Sequence, residues 1–209
     1  MSGHMTLKAA SAFWCCAMCL GGPIAKAQQD LAIPTIDATA QALSAEASRA
    51  MEAARNAQSI ARQIAEKAVA VAKRADELAV SARKAGPCVK AENRTGLVAI
   101  CADDGARYYG EMKDGRFQGL GVFVFANGYM TKGEWQRGEP EGLAVTISET
   151  GYVIEGEMRA GKPNGYGISI GNFGRYEGQW KDGDWNGFGV ELTPATIFEG
   201  EWHDGHLQR

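Results

Sequence analysis

The chain has 209 residues, a formal net charge of -3 and five cysteines. That size suits one or two modest folded domains. With acidic residues outnumbering basic ones, it lacks the basic footprint of a nucleic-acid binder, so nucleic acid is excluded as the expected partner.

Lys8 precedes an apolar run from Ala9 to Leu20, Gly21-Gly22-Pro23 breaks it, and Ala25 and Ala27 stand at the -3 and -1 positions of a cleavage site before Gln28. This is the outline of a secretory signal peptide over residues 1–27. Its apolar core is too short for a comfortable membrane span, and the segment reads alternatively as a buried apolar helix. Cys15, Cys16 and Cys19 would leave with it, while Met1–His4 reads as a tag remnant or as residues ahead of a start at Met5. The expected location is therefore outside the cytoplasm, periplasmic in the first reading and extracellular in the second.

After a linker over 28–35, residues 36–85 are Ala-rich with scattered charges and contain neither Gly nor Pro. That composition predicts one helix roughly 75 Å long. Ile36, Leu43, Ala50, Ala57, Ile64, Val71, Leu78 and Ala85 recur every seven residues, and Ala40, Ala47, Ala54, Ala61, Ala68, Ala75 and Ala82 follow four residues after the first seven. With the Ile36 series as d, every a position is Ala. A sustained seven-residue period predicts a left-handed coiled coil with Ile36, Leu43, Ile64, Val71 and Leu78 in its core. The leading expectation is a homo-oligomer of two or three copies. The alternatives are a helix folded back on its own repeat sheet and a partly frayed linker.

Gly86-Pro87 ends the helix and opens a connector over 86–105. Cys88 and Cys101 lie equally far from the midpoint between Arg94 and Thr95, so in a symmetric hairpin they would face each other. In an exported chain they are expected to form a disulfide contributing about 3 kcal/mol. A redox or metal pair is the other reading, although two Cys without converging His are poor zinc evidence. Asn93-Arg94-Thr95 also matches the N-glycosylation acceptor.

Residues 106–209 carry one pattern five times at a spacing of 22 or 23 residues, with anchors Gly110-Glu111-Met112, Gly133-Glu134-Trp135, Gly156-Glu157-Met158, Gly178-Gln179-Trp180 and Gly200-Glu201-Trp202. A fixed period means a stacked array. Around each anchor apolar and charged residues alternate, the period of a half-buried strand. The apolar face carries Tyr108, Met112, Trp135, Ile154, Met158, Tyr176, Trp180, Phe198 and Trp202. The central Gly leaves room for an aromatic ring to lie over the backbone. Lys181-Asp182-Gly183-Asp184 then turns the chain, and Phe188, Val190 and Leu192 share one side of the return. Each unit therefore reads as a β-hairpin.

Tyr-x-Gly-x-Trp-x-x-Gly-x-x-x-Gly-x-Gly resembles the MORN repeat over about half the chain; the second unit departs most, with Thr131 at the aromatic position and Ala144 replacing a Gly. The resemblance implies an elongated, twisted run of antiparallel hairpins that binds proteins or membranes and seldom catalyses. The fold class expected is α+β, a long N-terminal coiled-coil helix followed by a hairpin repeat sheet.

Glu111, Glu134, Glu157 and Glu201, with Glu155, Glu177 and Glu199 beside them, stand opposite the aromatics. Successive hairpins place them roughly 10 Å apart, too far for a catalytic dyad. A solvated sheet face is expected, with an acidic track for a basic partner as the sharper reading; Glu155/Glu157 and Glu199/Glu201 could make at most weak cation sites. His203 and His206 flank a turn and read as solvent-facing. No cofactor, metal or catalytic motif is expected. The chain thus reads as an exported, non-enzymatic scaffold that oligomerises through its helix and engages a protein partner through its sheet. A membrane-surface module is the alternative, and an envelope hydrolase using the Glu stripe comes last. The outer strand edge beside Trp202 reads as a docking contact or as a capping half-repeat.

Overall fold

The computed structural model describes residues 36–90 and 92–208, with the backbone alone for 36–39. The signal peptide and linker expected over 1–35 lie outside the described residues, as does the side chain of Ile36. Helix α1 (Ile36–Ala85) is followed by β1 (Gly96–Cys101), β2 (Arg107–Lys113), β3 (Arg116–Val124), β4 (Met130–Gln136), β5 (Glu139–Ile147), β6 (Val153–Arg159), β7 (Lys162–Gly171), β8 (Gly174–Lys181), β9 (Asp184–Leu192), β10 (Ile197–His203) and β11 (His206–Leu207). The strands form one antiparallel sheet in sequence order. Gln41–Arg209 is one compact unit, and the packing below lies within it.

Two local devices recur, a turn in all five hairpins and a bulge in the first four. At one end of the strands the turn is Asp114-Gly115, Arg137-Gly138, Ala160-Gly161, Asp182-Gly183 or Asp204-Gly205, with positive φ at both residues, 53° and 107° in the fourth. Such turns match the right-handed twist of the flanking strands. Just beyond each anchor Gly the register slips, between Gly110 and Met112, Gly133 and Trp135, Gly156 and Met158, and Gly178 and Trp180. The acid or amide inside each bulge fills the gap. Glu111 accepts the Leu120 N–H at 2.7 Å, Glu134 that of Leu143 at 2.6 Å, Glu157 that of Tyr166 at 2.6 Å, and Gln179 that of Phe188 at 2.7 Å. A backbone donor that the bulge would orphan is thereby satisfied.

One sheet face is aromatic. Tyr108 and Tyr176 lie over the glycine pairs beneath them, and a Cβ on Gly121 or Gly189 would overlap the phenol rings. Their hydroxyls donate to the Glu111 and Gln179 carbonyls at 2.8 and 3.0 Å, and Trp135 and Trp202 donate their indole N–H to the Gly121 and Gly189 carbonyls. In the second unit no tyrosine covers the pair, and buried Ala144 takes the place of the second glycine.

The other face is covered by α1. Ala75, Ala79 and Ala82 pack on Ala99, Tyr109 and Val122, Ala68 and Ala72 on Val145, and Ala61 and Ala65 on Ile168. The helix therefore crosses the strands in turn, its C-terminal part on the first hairpins and its N-terminal part on the last. Alanine brings the helix axis close, so dispersion contacts accrue along the whole seam. The expected heptads are present, but the Ala series that was to face a second helix faces this chain's own sheet. Ile64, Val71 and Leu78, the expected coil core, flank the seam half-buried, and Leu43 is 61% exposed. A seven-residue period records only that one helix face meets something periodic.

The connector also departs from the symmetric hairpin. Cys88 and Cys101 are bonded, with Cα atoms 5.5 Å apart, but Val89 bridges Ile100 in parallel, giving its N–H to the Ala99 carbonyl and accepting from Cys101. Within the connector Gly96–Cys101 is β1, the sheet's first strand. The disulfide ties the helix exit to it.

Replacing Ala68 with Leu is expected to cost about 1–3 kcal/mol by overpacking the helix–sheet seam. Ala70→Leu, on the exposed side of the same helix, should stay within about 0.5 kcal/mol. Urea unfolding of the two variants checks the pair.

Candidate interaction surfaces

The helix-covered face carries a ladder of matched residues. Arg55 Nε lies 3.0 Å from Glu199, Arg62 Nε 2.8 Å from Glu177, and Lys132 Nζ 2.9 Å from Asp76, while Arg83 sits 4.1 Å over the Tyr109 ring. On the helix these positions, with Val69 between them, are seven residues apart. On the sheet Tyr109, Lys132, Glu155, Glu177 and Glu199 are 22 or 23 apart. At the rung between them Val69 stands opposite Glu155 in place of a cation, and the two line one cavity together. Burial pushes the Glu155 carboxyl above its ordinary value, partly offset by Arg175. Glu177, 1% exposed, is held between Arg62 and Arg175.

This corrects the expected solvated or partner-facing acidic face. Glu155, Glu177 and Glu199 lie beneath the helix, whereas Glu111, Glu134 and Glu157 are engaged with backbone N–H groups. Glu155 and Glu157 diverge and Glu199 is paired, which leaves Glu201 exposed by itself. His203 and His206 are exposed at the last turn, as expected. Among the described residues no group of three or more His, Cys, Asp or Glu converges to hold a metal.

The aromatic residues are largely consumed by one another. Tyr108, Met112, Trp135, Met158, Tyr176, Trp180 and Trp202 are buried and Ile154 is half-buried, while Phe198 is 40% exposed. Tyr108 stacks on Phe117 at 3.9 Å and Tyr176 on Trp185 at 4.3 Å, each with a tryptophan edge-on. Burial raises both phenols well above the ordinary tyrosine value. These rings are the sheet's second core and leave little of themselves for a partner.

Exposed aromatics stand instead on the loops at the other end of the hairpins. Phe125 is 43% exposed, Tyr152 36% and Phe173 89%. Between the third and fourth units Tyr152, Phe173, Tyr176 and Trp185 line a groove of about 250 Å³ with Ser169 and Glu191. Reasoning from the repeat anchor missed these loop residues because they follow the strands and lie outside the alternating pattern. Their recurrence in three successive loops was the available signal.

The geometry of glycine pairs, overlying rings and bulged anchors has a counterpart among known families. The MORN repeat model matches residues 108–128, 132–151, 155–171, 176–194 and 198–208. This is a MORN-repeat protein. A comparison with curated proteins found no significant match. MORN repeats generally serve protein or membrane binding, which fits a binding role for this sheet. Among the described residues no helix is long and apolar enough to cross a membrane.

The rung without a helix cation sets a pH dependence. Because the folded state holds the Glu155 proton more tightly than the unfolded chain, stability is expected to fall as pH rises from the ordinary 4.5 through the raised folded value. Val69→Arg supplies the missing cation. Urea unfolding at acid and neutral pH should show that loss shrinking in the variant, with a gain of up to about 1 kcal/mol at neutral pH.

Proposed function

We propose that this protein is a non-enzymatic binding module that engages a protein partner through the loop end of its MORN sheet. The observation that carries the reading is the distribution of free surface. One sheet face is covered by α1, the other is closed by its own rings, and of the exposed aromatics Phe125, Tyr152 and Phe173 stand on the loops, with Phe198 near the start of β10. Aromatic side chains supply large contact area at low entropy cost, which is why they dominate binding surfaces. The single folded unit is the binding element here. Its alanine seam is occupied within the chain from Ala54 onward, so contact between copies through alanine heptads is left to the stretch before Ala54, where Leu43 and Met51 are exposed. Two heptads alone support only weak association, and sedimentation of the full chain at micromolar concentration is expected to report a monomer.

We further propose that the protein works outside the cytoplasm. The Lys8 to Ala27 pattern and the Cys88–Cys101 disulfide support this reading, since such bonds persist in oxidising compartments. Mass analysis of the native protein should give a chain beginning near Gln28, and an intact Met1 or Met5 start would contradict export.

A photo-crosslinking residue at position 173 tests the binding surface in the native cell. Crosslinks to a protein are expected there and not at Gln63, on the outer side of α1. Crosslinks at both positions alike, or recovery on floated vesicles without any protein adduct, would contradict the protein-binding reading.

A further inference from the structure

The groove between the third and fourth MORN units has a filled counterpart in the first. There Phe123 lies across the ladder from Tyr108 and packs on Phe117 at 5.5 Å, on Phe125 at 4.5 Å and on Trp135 at 6.0 Å. In the fourth unit the residue across from Tyr176 is Glu191. A carboxylate thus stands where the first unit places a phenyl ring and the second and third place Thr146 and Ser169, and among the described residues it makes neither a side-chain hydrogen bond nor an ion pair. The walls are aromatic: Trp185 stacked on Tyr176, Tyr152 lying against Gly171, and Phe173 projecting beside them. Arg175 also borders the groove, but its guanidinium is paired with Glu177 on the helix side of the sheet.

We propose that this groove binds the side chain of a lysine presented by the protein partner. Ring faces attract an ammonium group through their quadrupoles, and the lysine stem is apolar enough to lie along them. Glu191 supplies the opposing charge, and the Ser169 hydroxyl a further acceptor. The volume, about 250 Å³, falls below the roughly 300 Å³ at which pockets for drug-sized ligands begin. It suits one long side chain. The assignment deepens the protein-binding reading and rests on it.

The test uses the full chain and N-acetyl-lysine N-methylamide as probe, followed at the Trp185 indole resonance. A saturable shift is expected in the millimolar range. It should be absent with the Nε-acetylated probe, weakened at least tenfold by Glu191→Gln, and abolished by Glu191→Phe, which restores the filled form of the first unit. Thermal melting of both variants controls for folding. No saturable shift, an equal response to the acetylated probe, or full binding by Glu191→Gln would overturn the assignment. So would tetramethylammonium binding tenfold more tightly than lysine, or Glu191-dependent flotation on phosphatidylcholine vesicles. If crosslinking at position 173 survives Glu191→Gln unchanged, the lysine site falls while the loop-end binding surface stands.

Discussion

Seven residues of α-helix advance about 10.5 Å, and two strand spacings of a β-sheet advance about 9.6 Å. On that near-equality the structure depends. A helix crossing an array of hairpins meets one hairpin per heptad, so a single alanine pattern can seat on every unit and a single charged position can find the same strand position each time. The two lengths differ by about 0.9 Å per unit, small enough for arginine and lysine side chains to absorb over the rungs from Arg83 to Arg55. The burial pattern records how the helix accommodates the rest. Near its N-terminal end the seam uses Ala54, Ala57 and Ala61; further along it uses Ala61, Ala65, Ala68, Ala72, Ala75, Ala79 and Ala82. The second contact moves from three residues after the Ala series to four. That is the direction in which a straight helix, drifting about 20° per heptad, turns its face.

A hairpin array standing alone would leave two sheet faces in water. Here they are covered by different means. The ring face is closed locally, Tyr108 and Tyr176 lying over glycines of their own hairpins and Trp135 and Trp202 anchored to glycine carbonyls of the preceding strand. The aliphatic face, with Val122, Val145, Ile168 and Val190 in a row, is closed by α1 and by nothing within the repeat itself. Packing of the first kind is intrinsic to the MORN unit, whereas the second requires a helix of matching period. The charged rungs add selection of register more than raw stability, since their helix partners are half or more exposed at Arg55 and Arg62. Glu177 differs because its carboxylate is buried, so losing both flanking arginines would strand a charge.

The repeat, its turns and the apolar-polar alternation were legible because each is a local pattern with one physical meaning. Asp182-Gly183 between alternating runs has few conformations open to it, and the glycine pairs under Tyr108 and Tyr176 announce the ring that covers them. The disulfide pairing was legible for the same reason, although the path of the chain around it was not: Val89 runs parallel to β1, which symmetry about Arg94 and Thr95 does not suggest. The destination of the helix was ambiguous in principle. Every seventh alanine is required by a coiled coil and by this sheet alike, and only the pairing of Arg55, Arg62, Asp76 and Arg83 with residues 22 or 23 apart separates the two. The glutamates were misread for a related reason. Alternation assigns a residue to a face but does not say what covers that face, and it fails altogether where a bulge turns Glu111 or Glu157 back onto the backbone.

Length matching between helix and sheet can be tested by deletion in α1. Removing residues 63–69 takes out one whole heptad and brings Arg62 opposite Glu155 and Arg55 opposite Glu177, so the alanine seam stays on the sheet. Removing 65–69 turns the preceding stretch of helix by about 140° and points its alanines at solvent. Limited proteolysis with urea unfolding is expected to find the seven-residue deletion protected along the helix and close to the parent in stability, and the five-residue deletion cleaved ahead of Arg62. Equal protection, or equal cleavage, in the two shortened proteins would contradict a helix held in register by the repeat.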